Sequence, residues 1–231
     1  MSVNAHEIEK FRLLANDWWD INGSAQPLHH INAARIEYIF RHIESENINI
    51  MDLGCGAGIL TESLYRQFPN IIGVDACTDM INVAKQHSEN SGLNINYSCN
   101  SIENLCDEYN ESFDVIVCME LLEHVENPEK FLSYCRQCLK HNGILIISTV
   151  NRNFKSYAGA IIAAEHIFKL LPTGTHDYSK FIKPSELNKI LYINDFELID
   201  ITGLEYLPIT KSASLSKNID IVFPMHPRTK R

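Results

Sequence analysis

Short apolar runs alternate with amphipathic segments from about residue 47 to the end of the chain. Apolar runs rich in β-branched residues and bounded by Gly, Asp or Asn predict strands, and the segments between them have apolar residues at helical spacing. The first five predicted strands are "INIMDLG", "NIIGVD", "INYSCNS", "FDVIVCM" and "GILIISTV", and "FELIDITGLEY" and "NIDIVFP" follow later. The predicted helices include "NPEKFLSYCRQCLKHNG", with Pro128 in its first turn and Gly143 after its end. Strand–helix alternation of this kind predicts a parallel sheet with helices on both faces.

Two segments stand outside this alternation. Residues 1–46 contain two helical stretches around a Gly/Pro break, and residues 151–182 interrupt the pattern after the fifth strand. The interruption includes "SYAGAIIAAEHIFKLLP", which is apolar but too short to span a bilayer comfortably. Three placements stay open for it: packing onto the core, lying on a membrane surface, or roofing a lipophilic pocket. We expect one domain over residues 1–231, with a helical N-terminal extension and an inserted cover.

Composition and charge exclude several classes of protein. Hydrophobic residues make up 45% and charged residues 21%, as in an ordinary globular domain. The N-terminus has no secretory pattern and the seven cysteines form no disulfide framework, so we expect a cytoplasmic location. A net charge of −9 argues against a nucleic-acid partner, because phosphate contacts require a basic surface. The basic tail "HPRTKR" is expected to be a solvated end.

The stretch "MDLGCGAGIL" places three glycines directly behind the first predicted strand. Gly54, Gly56 and Gly58 lack a Cβ, which permits positive φ and close approach of a ligand to the backbone. Asp75 ends the second predicted strand, 17 residues beyond Gly58. An acidic residue in that position accepts hydrogen bonds from the ribose hydroxyls of a nucleoside. Together, the loop and the carboxylate predict a nucleoside cofactor.

The spacing of the glycines separates two kinds of cofactor. A dinucleotide-binding loop has the pattern G-x-G-x-x-G, whereas this chain has Gly-Cys-Gly-Ala-Gly with Asp52 two residues before it. An acidic residue there repels a pyrophosphate and suits a ligand that carries an ammonium and a sulfonium. The sequence D-L-G-C-G-x-G with a strand-end Asp resembles motif I of class I S-adenosylmethionine-dependent methyltransferases. That resemblance implies a Rossmann-like fold with a seven-stranded, mostly parallel sheet.

The stretch "MELLEHVENP" follows the fourth predicted strand and supplies candidate catalytic groups. If this stretch is helical, Glu120, Glu123 and His124 lie on one face, where they suit a divalent ion such as Mg²⁺. Such an ion would lower the pKa of a bound catechol. The alternative is a charge cluster at the start of a helix, with His124 packing locally. Glu123, His124 and the loop residue His176 are the candidates for a general base.

The segments that flank the glycine loop give a more specific resemblance. "FRLLANDWWDINGSAQPLHHINAARIEYI", "CMELLEHVENP", "NFKSYAGAIIAAEHIFKLLPTGTHDYSKFIKPSEL" and "ITGLEYLPIT" resemble the ubiquinone-biosynthesis O-methyltransferase family, over about residues 7–223. Members of that family O-methylate polyprenylated phenols and catechols, namely 2-polyprenyl-6-hydroxyphenol and 3-demethylubiquinol. Two positions depart from the pattern: Ala25 stands where we expect an aromatic residue, and Ala33 where we expect proline. These departures concern the entrance rather than the chemistry.

The family resemblance also implies site residues. Arg35, Gly54, Asp75 and Met119 match positions that contact S-adenosylmethionine, and Gly56 belongs to the same loop. Arg35 is suited to bind the methionine carboxylate with two hydrogen bonds, the alternative being an ordinary surface arginine. Some relatives hold a divalent ion at the positions of Glu120, Glu123 and His124.

The resemblance implies a cellular setting as well. The apolar insertion resembles a lipid-interacting region, which favours peripheral association with the inner membrane, near other quinone-biosynthesis enzymes. Two functional alternatives stay open. One is a methyltransferase for another small or lipidic acceptor, and the other is a non-enzymatic, membrane-peripheral subunit that retains the fold.

Overall fold

The computed structural model describes residues 5–153, 178–207, 209–220 and 222–229. The helices in these segments are α1 (Ala5–Leu14), α2 (Gln26–His42), α3 (Ile59–Tyr65), α4 (Thr78–Asn90), α5 (Ile102–Leu105), α6 (Pro128–Cys138) and α7 (Pro184–Ile193). Short 3₁₀ turns cover Ala15–Asp17, Leu122–His124 and Tyr178–Lys180. The strands are β1 (Ile50–Leu53), β2 (Ile71–Asp75), β3 (Asn96–Cys99), β4 (Phe113–Cys118), β5 (Leu139–Val150), β6 (Phe196–Ile201), β7 (Gly203–Leu207), β8 (Ser212–Ser216) and β9 (Val222–Thr229).

These strands form one sheet whose order is β3-β2-β1-β4-β5-β9-β7-β8, with β6 also paired to β9. Strands β1 to β5 are parallel, and β9 runs antiparallel to β5 and β6. Strands β1–β6 and β9 make the expected seven-stranded, mostly parallel sheet, and the β7–β8 hairpin adds two more strands at its edge. The strand order reverses between β1 and β4. In sheets of this type, ligands bind beyond the carboxyl ends of the strands at that reversal.

Apolar side chains cover both faces of the sheet, as the alternating pattern predicts. On one face Phe131 and Leu132 of α6 pack with β4 and β5. On the other face Tyr38 of α2 and Leu64 of α3 pack with β1 and β4. Helix α6 begins at a sequence-encoded boundary, because the Asn127 side chain accepts a hydrogen bond from the Lys130 N–H and proline occupies the first turn.

The structure corrects the sequence predictions at two boundaries. Helix α6 ends at Cys138 instead of continuing towards Gly143, because Leu139 already pairs with Phe113 of β4. Asn142 then has a positive φ of 64°, and the β4–β5 register shifts close by. The tail "HPRTKR" is not simply a solvated end, because its first four residues complete β9, where Arg228 pairs with Ile144 of β5.

The inserted cover predicted over residues 151–182 falls mostly on residues 154–177, which lie outside the described residues. Its placement and that of His176 therefore stay predictions. Within the described segments, no helix combines the length and the apolar character needed to cross a membrane.

A buried carboxylate forms one of the contacts between the N-terminal extension and the rest of the fold. Glu7 of α1 is 4% exposed, and its Oε2 accepts a hydrogen bond from His124 Nδ1 at 2.8 Å. Its Oε1 accepts a hydrogen bond from Lys180 Nζ at 3.0 Å. The hydrogen bond from His124 lowers the pKa of Glu7 far below its ordinary value, and Lys180 adds to this effect against the opposing cost of burial. An ionised Glu7 thus connects α1, the loop after β4 and the segment before α7.

We predict that Glu7→Gln lowers the free energy of unfolding by about 1–3 kcal/mol at pH 7, the range for hydrogen bonds to charged groups. Because the pKa of Glu7 is lowered on folding, its contribution is present above the ordinary value of 4.5 and is lost as the pH falls below it. Urea unfolding of both proteins at pH 7 and at acidic pH measures the difference, which should shrink in acid.

Glu9→Gln is the matched control, because Glu9 belongs to the same helix and forms only an exposed ion pair with Arg12. A Glu7→Gln variant as stable as wild type at pH 7 would show that this carboxylate does not hold the extension.

Candidate active site

The glycine loop connects β1 to α3 at the carboxyl end of the sheet. Gly54, Gly56 and Gly58 have φ angles of 77°, 54° and 92°, a region that side chains with a Cβ rarely adopt. The Gly54 and Cys55 N–H groups both donate to the Val74 carbonyl, at 2.8 and 3.1 Å. These contacts fold the loop back against the end of β2.

Side chains pack directly against the bare backbone of this loop. A Cβ at Gly56 would lie 2.8 Å from Trp18 Cζ2, and a Cβ at Gly54 would lie 2.7 Å from Leu121 Cδ2. The Trp19 indole N–H donates to the Ala57 carbonyl at 2.9 Å. The N-terminal extension therefore covers the glycine loop.

Asp75 joins the loop to the end of β2. Its Oδ2 accepts a hydrogen bond from the Gly56 N–H at 2.9 Å, and its Oδ1 accepts one from the Cys77 N–H at 2.8 Å. Burial raises the pKa of Asp75, while these backbone N–H groups act in the opposite direction. Each carboxylate oxygen retains a further lone pair, so the group is able to accept hydrogen bonds from a vicinal diol.

A second group of charges lies at the strand reversal. Asp52, at 2% exposure, accepts a hydrogen bond from Thr61 Oγ1 at 2.6 Å, and burial raises the pKa of Asp52 to about 6. Arg35 of α2 is also buried and forms an ion pair with Glu120. Burial lowers the pKa of Arg35 to about 10, and the negative charge of Asp52 opposes that shift. Met119, the first residue after β4, is buried at the same end of the sheet.

The predicted metal-binding face at Glu120, Glu123 and His124 is not formed. Glu120 has a φ of 47° and only Leu122–His124 is helical, as a 3₁₀ turn, so the three side chains do not share the face of an α-helix. Each is held by a different group: Glu120 by Arg35 and Ser148, Glu123 by Thr149 Oγ1, and His124 by Glu7. Throughout the described ranges, no three His, Cys, Asp or Glu side chains are placed together to hold a metal ion.

The fold and this loop define the class of protein. A family model described as "Methyltransferase domain" matches residues 51–147, which run from β1 into β5. Solved structures with the same fold include a SAM-dependent methyltransferase of Thermotoga maritima, a possible histamine N-methyltransferase. It is 17% identical with a TM-score of 0.72, and the match covers 97% of this chain and 100% of that one.

Magnesium protoporphyrin IX methyltransferase from Synechocystis, solved with bound SAH, is 15% identical with a TM-score of 0.67, over 98% and 95% of the two chains. These likenesses confirm a class I methyltransferase fold.

Curated relatives narrow the class to a family. A ubiquinone biosynthesis O-methyltransferase of Coxiella burnetii is 43% identical over 220 residues, covering 95% of this chain and 94% of that protein. The enzyme of the same name from Aliivibrio fischeri is 41% identical over 232 residues, covering 98% and 97%. The chain belongs to the ubiquinone biosynthesis O-methyltransferase family.

We predict that Gly56→Ala weakens binding of S-adenosylhomocysteine at least about tenfold, because the new Cβ displaces the Trp18 ring and strains a backbone with positive φ. Isothermal titration calorimetry measures the change. Gly92→Ala is the matched control, because Gly92 also has a positive φ of 69° but a Cβ there meets nothing within 4 Å. Equal affinities of the two variants would contradict the role given to the loop.

We also predict that affinity for S-adenosylmethionine falls as the pH is lowered through about 6. Protonation of Asp52, whose pKa is raised to about 6, removes a negative charge that a cationic ligand requires. Calorimetric titrations between pH 5 and pH 8 give the profile. In Asp52→Asn the affinity at pH 7.5 should be lower and the pH dependence weaker, and a profile identical to that of wild type would contradict this assignment.

Proposed function

We propose that this protein is an S-adenosylmethionine-dependent O-methyltransferase of ubiquinone biosynthesis. Its acceptors are ring hydroxyls of polyprenylated phenols and catechols, namely 2-polyprenyl-6-hydroxyphenol and 3-demethylubiquinol. The observation that carries the proposal is the hydrogen bond from the Gly56 N–H to Asp75 at the strand reversal, in a chain 43% identical to enzymes of that name. This hydrogen bond places a bare backbone beside a carboxylate with free lone pairs, as a nucleoside requires.

The residues around the loop fit the parts of the donor. Asp75 binds the ribose hydroxyls, and the glycine loop lies against the methionine moiety. Asp52 attracts the positive charges of the donor, and Arg35 binds its carboxylate. Met119 supplies apolar contact at the end of β4. These assignments are supported by the burial and charge of each group and by the positions they occupy in the family pattern.

The acceptor requires a base, because a phenol with a pKa near 10 is mostly protonated at neutral pH. When bound, S-adenosylmethionine supplies a methyl group attached to a sulfonium sulfur. After the transfer, this sulfur is a neutral thioether. His124 lies just beyond β4, where the acceptor is expected. The ionised Glu7 carboxylate can only accept hydrogen bonds, so His124 Nδ1 donates one to it. The other ring nitrogen, Nε2, then carries the free lone pair. Within the described part of the chain Nε2 has no hydrogen-bond partner, and we assign it the role of taking the acceptor proton.

Glu123 is a weaker candidate for the base, because its Oε2 accepts a hydrogen bond from Thr149 at 2.8 Å in a buried position. His176 stays a candidate that the described residues do not test. Magnesium has no step in this proposal, since the residues expected to bind it are held by separate partners.

We further propose that the protein associates peripherally with the inner membrane and there with other quinone-biosynthesis enzymes. The apolar sequence within residues 151–182 supports this proposal, as does the lipid character of a polyprenylated acceptor.

The proposal predicts methyl transfer from labelled S-adenosylmethionine to a short-chain prenyl catechol, with the methyl ether identified by mass spectrometry. His124→Asn should retain affinity for the donor and lose turnover about 100-fold or more, as for removal of a general base. A panel of non-phenolic lipid acceptors run in parallel separates the alternatives. Preference for one of them would contradict the assigned acceptor, and donor binding without any methyl transfer would favour a non-enzymatic subunit.

A further inference from the structure

The guanidinium of Arg35 retains a buried hydrogen-bond donor. The side chain is 7% exposed, and among the described residues its Nε has no hydrogen-bond partner. Its Nη2 forms the ion pair with Glu120, and the charges of Asp52 and Glu123 act on it without a direct hydrogen bond. A buried donor without an acceptor is costly, so such groups are rare in folded proteins. The free Nε–H therefore indicates an acceptor that arrives with a ligand.

Glu120 is held in one orientation by β5. Its backbone N–H donates to Ser148 Oγ at 2.9 Å and to the Ser148 carbonyl at 3.2 Å. The Ser148 hydroxyl in turn donates to Glu120 Oε1 at 2.6 Å, which leaves Oε2 for Arg35. Ser148 is 1% exposed, so water does not compete strongly for these hydrogen bonds.

The backbone at Glu120 adopts a conformation that its residue type disfavours. A φ of 47° lies in the left-handed region, which is uncommon for residues other than glycine, asparagine and aspartate. Strained residues of this kind persist where surrounding contacts hold them, and they cluster at functional sites. Here the residue with this backbone conformation forms the ion pair with Arg35.

We propose that Glu120, held by Ser148, is a positioning residue that orients Arg35 for the carboxylate of the methyl donor. This inference rests on the proposed function and adds a residue that acts on the donor only through Arg35. In this arrangement Glu120 takes one of the two N–H groups of Nη2, and the Nε–H with the second N–H of Nη2 stays available to the ligand carboxylate. A guanidinium recognises a carboxylate best with two parallel N–H groups, so its orientation decides the affinity.

The test compares two ligands that differ in the amino-acid portion. S-adenosylhomocysteine carries the carboxylate, and 5′-methylthioadenosine carries the nucleoside and sulfur without it. Calorimetry with wild type, Glu120→Gln and Glu120→Gly should give about tenfold weaker binding of S-adenosylhomocysteine to both variants, with unchanged binding of 5′-methylthioadenosine. Glycine adopts a φ of 47° without strain, so the backbone of the glycine variant is not disturbed. Weaker binding by this variant is therefore due to the lost carboxylate.

Glu126→Gln serves as the control, because Glu126 is an exposed carboxylate on the same loop. Equal weakening of both ligands would overturn the inference in favour of a general structural role. Unchanged or tighter binding of S-adenosylhomocysteine would also overturn it, the latter by showing that Glu120 competes with the donor for Arg35. A wild-type protein that binds neither ligand would instead overturn the proposed function itself.

Discussion

Both oxygens of the Asp75 carboxylate accept backbone N–H groups, one from the glycine loop and one from the residue that precedes α4. The hydrogen bond from Gly56 holds the end of β2 against the loop after β1, and the three glycines give that loop its positive φ angles. The two tryptophans of the N-terminal extension also contact this loop. Donor binding in this account depends on that arrangement.

Charge is distributed unequally around the strand reversal. Of the residues that the structure describes, Arg35 is the one cation in a group that also contains Asp52, Glu120 and Glu123, and all four side chains are largely buried. Such an excess of buried carboxylate is unfavourable in the free protein. Burial raises the pKa of Asp52 to about 6, and the negative charge of Asp75 adds to that shift. In the proposed function, the sulfonium and the ammonium of the donor compensate this excess, and Arg35 binds its one carboxylate. The charges of the free site thus support the proposed binding of this donor.

The features that sequence predicted are those encoded by neighbouring residues. The strand–helix alternation, the glycine loop and the strand-end Asp75 each follow from a local pattern, and the structure places them as expected. Contacts between distant residues had no such signal: His124 and Glu7 are 117 positions apart, and Ser148 is 28 positions from Glu120. Helical spacing does not hold at Glu120, because this residue follows β4 with a positive φ, and the three side chains therefore do not share the face of an α-helix.

The most direct test of this account is a crystal structure of the protein with S-adenosylhomocysteine. The account predicts electron density for the ribose beside Asp75, with its hydroxyls within hydrogen-bonding distance of the carboxylate and the methionine portion along the glycine loop. Density for the ligand at another edge of the sheet, or a loop empty at saturating ligand, would contradict it.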